Sequence, residues 1–354
     1  MADLTEKDLE NMKNHKYKST GYTTLDNKMN PFWIKCASYL PYAYSPNMVT
    51  VTGLFCELLS IILISYFDLT FSKLLPPFVN VFCALMFFLS QTFDAIDGKH
   101  ARNTKRSSSL GQLMDHGCDS MDNFIYAIVM SQAYLFGNSI NTLLIQILIQ
   151  IPFYTYTLEE HFEGILRTQM DDIGVTEVQF FSIGLLLLAS IFGEKLIFFE
   201  ILGIRLSNIT LYFLSFCSIF QTIHLIILNS KNFQDAMKYL KHISTIIVFI
   251  LAEFLTYKLD LYQQKPFLIV LLNGLYYSLF TCKLIISNMA KRHLNIFDID
   301  IIFYDIGICA CAFIKNGLVE NLVLIALSIW IAYRYYTKII CSIFRLLDYL
   351  KISF

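Results

Sequence analysis

A chain of 354 residues that is 56% hydrophobic and 16% charged, with mean hydropathy +0.54, lacks the polar surface to cover a water-soluble core of that size. Soluble domains carry about a quarter of their residues charged, so the composition implies an all-α integral membrane protein. A formal net charge of −1, with no basic tail, gives no electrostatic case for binding nucleic acid.

Residues 1–47 are polar or mixed and are expected to form a cytosolic or interfacial segment. Its stretch "NPFWIKCASYLPYAYSPN" sets Trp33, Tyr39, Tyr42 and Tyr44 around Lys35, the pattern of an amphipathic helix lying among headgroups. No cleavable leader is legible, so the first apolar segment is expected to double as a signal anchor. A span needs about 20 mostly apolar residues. Such stretches fall at 48–67, 76–94, 117–136, 140–158, 178–194, 208–228, 243–258, 267–286, 300–314 and 321–341, about ten transmembrane helices.

With the N-terminus in the cytosol, the cytosolic side receives 21 of the 27 Lys and Arg. That excess fits the positive-inside tendency and puts both termini in the cytosol. The expected layout is an N-terminal segment 1–47, catalytic helices 48–200, additional helices 201–345 and a cytosolic tail 346–354. The nine cysteines form no CxxC pair and read as buried free thiols. The sequon Asn208-Ile209-Thr210 starts a span, too near the bilayer for glycosylation.

Between the second and third spans lies "DAIDGKHARNTKRSSSLGQLMDHGCDS". Asp94 and Asp97 are three apart and Asp115 and Asp119 four apart, so each pair shares one helix face. A bare carboxylate against hydrocarbon costs several kcal/mol. Four together repel, and hard divalent cations relieve both problems. All-oxygen ligation suits Mg²⁺, Mn²⁺ or Ca²⁺, and four carboxylates have room for two ions. Gly98 and Gly111 permit close approach of a ligand, and Arg102 offers a fork for phosphate, with Lys99, Lys105 and Arg106 beside it. Carboxylate-held metal with an arginine suits diphosphate chemistry. The competing readings are structural salt bridges and a cation-transport pathway. Few basic partners lie within the spans, and the acidic residues cluster at one end of two helices.

The spacing Asp97-Gly98-x2-Ala101-Arg102-x8-Gly111-x3-Asp115-x3-Asp119 resembles the signature of the CDP-alcohol phosphotransferases. "DAIDGKHAR", "SSSLGQLMDHGCDS", "SPNMVTVTGL", "HKYKSTG" and "GVTEVQ" resemble its choline/ethanolamine phosphotransferase branch. The resemblance implies transfer of a phospho-alcohol from CDP-choline or CDP-ethanolamine to diacylglycerol or an ether analogue, with release of CMP. It implies two Mg²⁺ (or Mn²⁺) on Asp94, Asp97, Asp115 and Asp119. Asn47, Gly98, Ala101, Arg102 and Gly111 then line the nucleotide site. It also implies a homodimer in the endoplasmic reticulum or Golgi membrane, with its site facing the cytosol.

The acceptor hydroxyl needs a base. The resemblance implies His116, supported by Glu177; Asp119 is the alternative, although a metal ligand is a poor base. Two rival functions are a divalent-cation transporter and the same chemistry on another alcohol. Elsewhere, Glu159, Glu160, His161 and Glu163 read as a solvated helix end, with recognition of an ammonium headgroup as the alternative, and His224 as a hydrogen-bonded core histidine. Asp298, Asp300 and Asp305 have no assigned role.

Overall fold

The computed structural model describes residues 4–352 except 17, 19–20, 167–168, 171–172, 231–232, 294–298 and 315; Asp298 therefore lies outside the described residues. The fold is all-α. Two short N-terminal helices, α1 (Glu6–Lys13) and α2 (Thr24–Tyr39), precede α3 (Pro46–Phe67), α4 (Pro77–Thr104), α5 (Ser109–Ala133) and α6 (Ile140–Glu163). Then come α7 (Val175–Phe192), α8 (Glu194–Ile197), α9 (Leu206–Asn229), α10 (Phe233–Thr256) and α11 (Asp260–Gln264). Helices α12 (Pro266–Met289), α13 (Ile299–Ile314) and α14 (Gly317–Arg334) follow, and a π-helical segment, Tyr335–Ile340, runs α14 on into α15 (Cys341–Leu350). Among the described residues, strand structure is limited to two two-residue hairpins, Gln169–Met170 with Ile173–Gly174 and Glu200–Ile201 with Ile204–Arg205.

All ten apolar stretches fall in helices. Among the described residues, seven helical segments, α3, α4, α7, α9, α10, α12 and the continuous Gly317–Leu350, are long and apolar enough to cross a membrane. The stretches in α5, α6 and α13 are less apolar or shorter. Helix α5 carries aspartates and α6 carries Gln146 and Gln150, yet both helices are packed among others, so these polar groups do not face lipid. Gln146 donates to the Val270 carbonyl at 2.8 Å. Helix α12 is the most enclosed of the seven, with 83% of its apolar window buried.

The interfacial expectation for residues 30–47 meets a helix over its first part. Thr23 and Asp26 form a reciprocal N-terminal cap that starts α2. Trp33 and Ala37 pack with Val49 and Ile96, pinning α2 to α3 and α4, while Phe32, Ile34 and Tyr39 stay exposed.

Close packing at α12 depends on a glycine. A Cβ on Gly274 would overlap the Phe124 side chain, so its absence lets α5 and α12 approach. Asp300 has a structural explanation: its Oδ2 lies 2.5 Å from Lys283 Nζ and its Oδ1 2.7 Å from Arg334 Nε, joining α12, α13 and α14. His224 corrects the core reading: it is exposed and stacks on Phe220 one turn earlier, with ring centroids 5.8 Å apart.

Candidate active site

The aspartates converge because of how α4 stops. Lys105 takes the left-handed conformation (φ 55°), and Arg106 N–H returns to the Ala101 carbonyl at 2.8 Å. Ser108 then caps α5 by accepting from Gly111 N–H at 3.2 Å. The short loop at residues 105–108 leads α4 into α5, and α3 packs against both helices. At 1.5 Å rise per residue, Asp97 and Asp115 each lie about 10 Å from that loop, and so face each other.

Asp94, Asp97 and Asp115 each offer an oxygen within 4.8 Å of the others. Asp94 is exposed, Asp97 buried and Asp115 half-buried. Asp94 and Asp115 are close enough to hydrogen-bond, a contact that two bare carboxylates do not hold without a cation or a proton between them. Asp119 sits one turn further along α5 and is outside this close group, although it stands near enough to Asp94 and Asp97 to feel their charge. The three-carboxylate cluster, all hard oxygen donors, fits a hard divalent cation. Thr50 of α3 donates to Asp97 Oδ2 at 2.5 Å and fixes that carboxylate.

The residues expected to line a nucleotide pocket come together in two pairs, Asn47 with Gly111 and Arg102 with Gly98. Asn47 is buried at the start of α3, and its Oδ1 would sit 3.7 Å from a Cβ placed on Gly111. Arg102 is exposed near the end of α4, and its guanidinium reaches back along Gly98, 3.5 Å from where a Cβ would be. Ala101 is buried beneath them. The neighbouring cations are held by aromatics of the α2 region, Lys99 over Trp33 at 5.2 Å and Arg106 over Tyr42 at 4.4 Å.

His116 is buried, 4% exposed, on α5. Its Nδ1 lies 3.9 Å from Glu160 Oε2. Glu177 is placed at the start of α7, where its Oε2 accepts from Gly174 N–H at 2.8 Å; its Oε1 is buried without a hydrogen bond among the described residues.

Two site residues escaped the sequence reading. Glu160, taken there as solvated, is only 2% exposed, and Glu159 is buried with it, accepting from Asn229 at 2.8 Å; Glu163 alone of the three is exposed. Gln112 donates to Glu160 Oε1 at 2.9 Å. Burial disfavours the charged carboxylate, but the nearby His15 and His116 imidazoles, with Gln112, favour it more, so Glu160 is held below its ordinary range. The second is Glu57, the one charged residue within α3. It is buried against Ser90 and Asp122 beside Asp94 and Asp119. A single ionisable residue inside an apolar span was the signal that would have found it.

Comparison with known proteins follows the same residues. The family model described as CDP-alcohol phosphatidyltransferase matches residues 43–206. Cholinephosphotransferase 1 of Bos taurus is 28% identical over 310 residues, covering 83% of this chain and 75% of that protein. Choline/ethanolaminephosphotransferase 2 of Arabidopsis thaliana is 27% identical over 303 residues, 79% of this chain and 77% of its own. Cholinephosphotransferase 1 of Gallus gallus is 32% identical over 217 residues, 57% of this chain and 64% of its own.

Proposed function

We propose that the chain is a member of the CDP-alcohol phosphatidyltransferase family and transfers phosphocholine or phosphoethanolamine from the CDP-alcohol to diacylglycerol or an ether analogue. The products are phosphatidylcholine or phosphatidylethanolamine and CMP. The observation that carries the reading is the convergence of Asp94, Asp97 and Asp115 within 4.8 Å, next to Arg102.

Asp94, Asp97, Asp115 and Asp119 would hold the divalent cations, two Mg²⁺ or Mn²⁺. When bound, these neutralise diphosphate oxygens and stabilise charge on the departing CMP. Arg102 pairs with the diphosphate, while Asn47, Gly98, Ala101 and Gly111 shape the nucleotide side. His116 takes the proton from the acceptor hydroxyl. The hydroxyl oxygen bonds to the β-phosphorus as the bond from that phosphorus to the CMP oxygen breaks, and CMP leaves with the electron pair. Asp119 is the second candidate base. It lies outside the close group of three carboxylates. The proposal includes a homodimer in the endoplasmic reticulum or Golgi membrane, with the site open to the cytosol.

The test supplies purified protein with labelled CDP-choline or CDP-ethanolamine, diacylglycerol and Mg²⁺. Phospholipid product from either donor is expected. No product from either, with metal flux into vesicles, would establish the transporter instead. Asp115→Asn is expected to abolish turnover while elution and melting temperature stay as in the wild type; near-normal activity removes Asp115 from the metal site.

A further inference from the structure

Glu160 is held from three sides by groups far apart in the chain. Gln112 stands one helical turn before His116 on the same face of α5, and binds Oε1 at 2.9 Å. His116 Nδ1 faces Oε2 at 3.9 Å. His15 Nε2 lies 3.6 Å from Oε1. The last two distances are those of ion pairs rather than hydrogen bonds, and such contacts tighten when an active site is occupied.

His15 is placed there by an anchored helix. It follows α1 directly, after the cap residue Asn14. Arg292 lies 2.6 Å from Asp8, and Asn11 donates to the Ala290 carbonyl at 2.9 Å. Leu9 and Met12 are buried in one cluster with Leu110, Leu113, Ile286 and Met289. Beyond His15, the Lys18 carbonyl accepts from Leu166 N–H at 2.9 Å, which ties the segment to the chain just past α6. The N-terminal segment is thus seated against the end of α6 that carries Glu160.

We infer that Glu160 is the positioning residue for the His116 imidazole, and that the N-terminal segment, through His15, holds Glu160 in place. The inference rests on the reading of His116 as the base. A carboxylate facing Nδ1 fixes which ring nitrogen carries hydrogen and how the ring is turned, as the third member of a nucleophile–base–carboxylate set does elsewhere. Gln112 and His15 keep that carboxylate from swinging away. The helix-capping carboxylate Glu177 is the rival for the same role.

The experiment measures kcat and the donor KM of the full-length protein in lipid nanodiscs, with CDP-choline, CDP-ethanolamine, diacylglycerol and Mg²⁺. Glu160→Gln is expected to lower kcat by about tenfold or more, with KM within about twofold of wild type, because orientation of a base acts on the chemical step. Glu160→Asp restores part of the loss. His15→Ala lowers kcat by a smaller factor, and adds nothing in the Glu160→Gln background. A Glu160→Gln kcat within about twofold of wild type overturns the inference, and so does a larger kcat loss from Glu177→Gln than from Glu160→Gln. Additive losses from His15→Ala and Glu160→Gln remove His15 from the arrangement. Should Glu160→Gln fail to elute as a folded protein, Glu160→Asp and the His15→Ala kcat–KM split decide the matter. His116→Ala at wild-type kcat would sink the base reading itself, a separate result.

Discussion

The Thr50 hydroxyl donates to Asp97 Oδ2 at 2.5 Å, so α3 fixes one carboxylate of a cluster that α4 and α5 assemble. Its removal should loosen the ligand without deleting it. Thr50→Val keeps the shape of the side chain and loses the donor. Loss of a partner that orients a metal ligand typically costs about 10–100-fold in metal affinity or activity. The Mg²⁺ titration of phospholipid formation is expected to shift to higher concentration by at least the low end of that range. An unchanged titration would show that Asp97 needs no support from α3.

Glu57 should matter by its shape and hydrogen bonds. Glu57→Leu leaves Ser90 and Asp122 facing a hydrocarbon side chain in a buried setting. Stranding a buried polar group costs about 1–3 kcal/mol. Glu57→Gln keeps the volume and a hydrogen bond, and is expected to melt close to wild type. Equal melting temperatures for the two variants would remove Glu57 from the structural support of the site.

The Arg292 guanidinium beside Asp8 holds that carboxyl well below its ordinary range. A carboxylate with a lowered folded-state pKa adds stability that is complete above its unfolded pKa and is lost as pH falls toward the folded value. Asp8→Asn should therefore melt lower than wild type near pH 7, and the gap should narrow below about pH 4, where the unfolded carboxyl begins to take up its proton. Melting curves of the two proteins across that window provide the check; a gap that widens on acidification contradicts the pairing.

Gly274→Ala inserts a methyl group where Phe124 already sits. Overpacking of a tight core costs typically about 1–3 kcal/mol. A lowered melting temperature is expected, together with reduced activity, because α5 carries Asp115 and His116. A variant that melts at the wild-type temperature would show that α12 can shift at no cost.

The helices and the meeting of Asp94, Asp97 and Asp115 were legible in the sequence because both follow from short-range periodicity and from a short loop between two helices. The offset of Asp119 was not, since a turn's displacement depends on how α4 and α5 rotate against α3. Glu160 was misread because nothing near it marks it as buried; its partners Gln112 and His15 arrive through tertiary packing. His224 was misread for the converse reason, since in a bilayer protein an outward face need not be polar. Asp300 became intelligible only when Lys283 and Arg334 came to it from other helices.

The pairing of α5 with α12 also orders biosynthesis. The ribosome delivers every aspartate of the cluster by residue 119, but the buried surface against which α5 rests is completed only when Met289 has left the exit tunnel. Until then the insertion machinery must harbour a helix bearing Asp115, Asp119 and Asp122 without its companion. These early-made carboxylates thus wait on late-made hydrocarbon, and a transcript cut short between those points leaves α5 resting on α3 and α6 but bare on the side that α12 would cover.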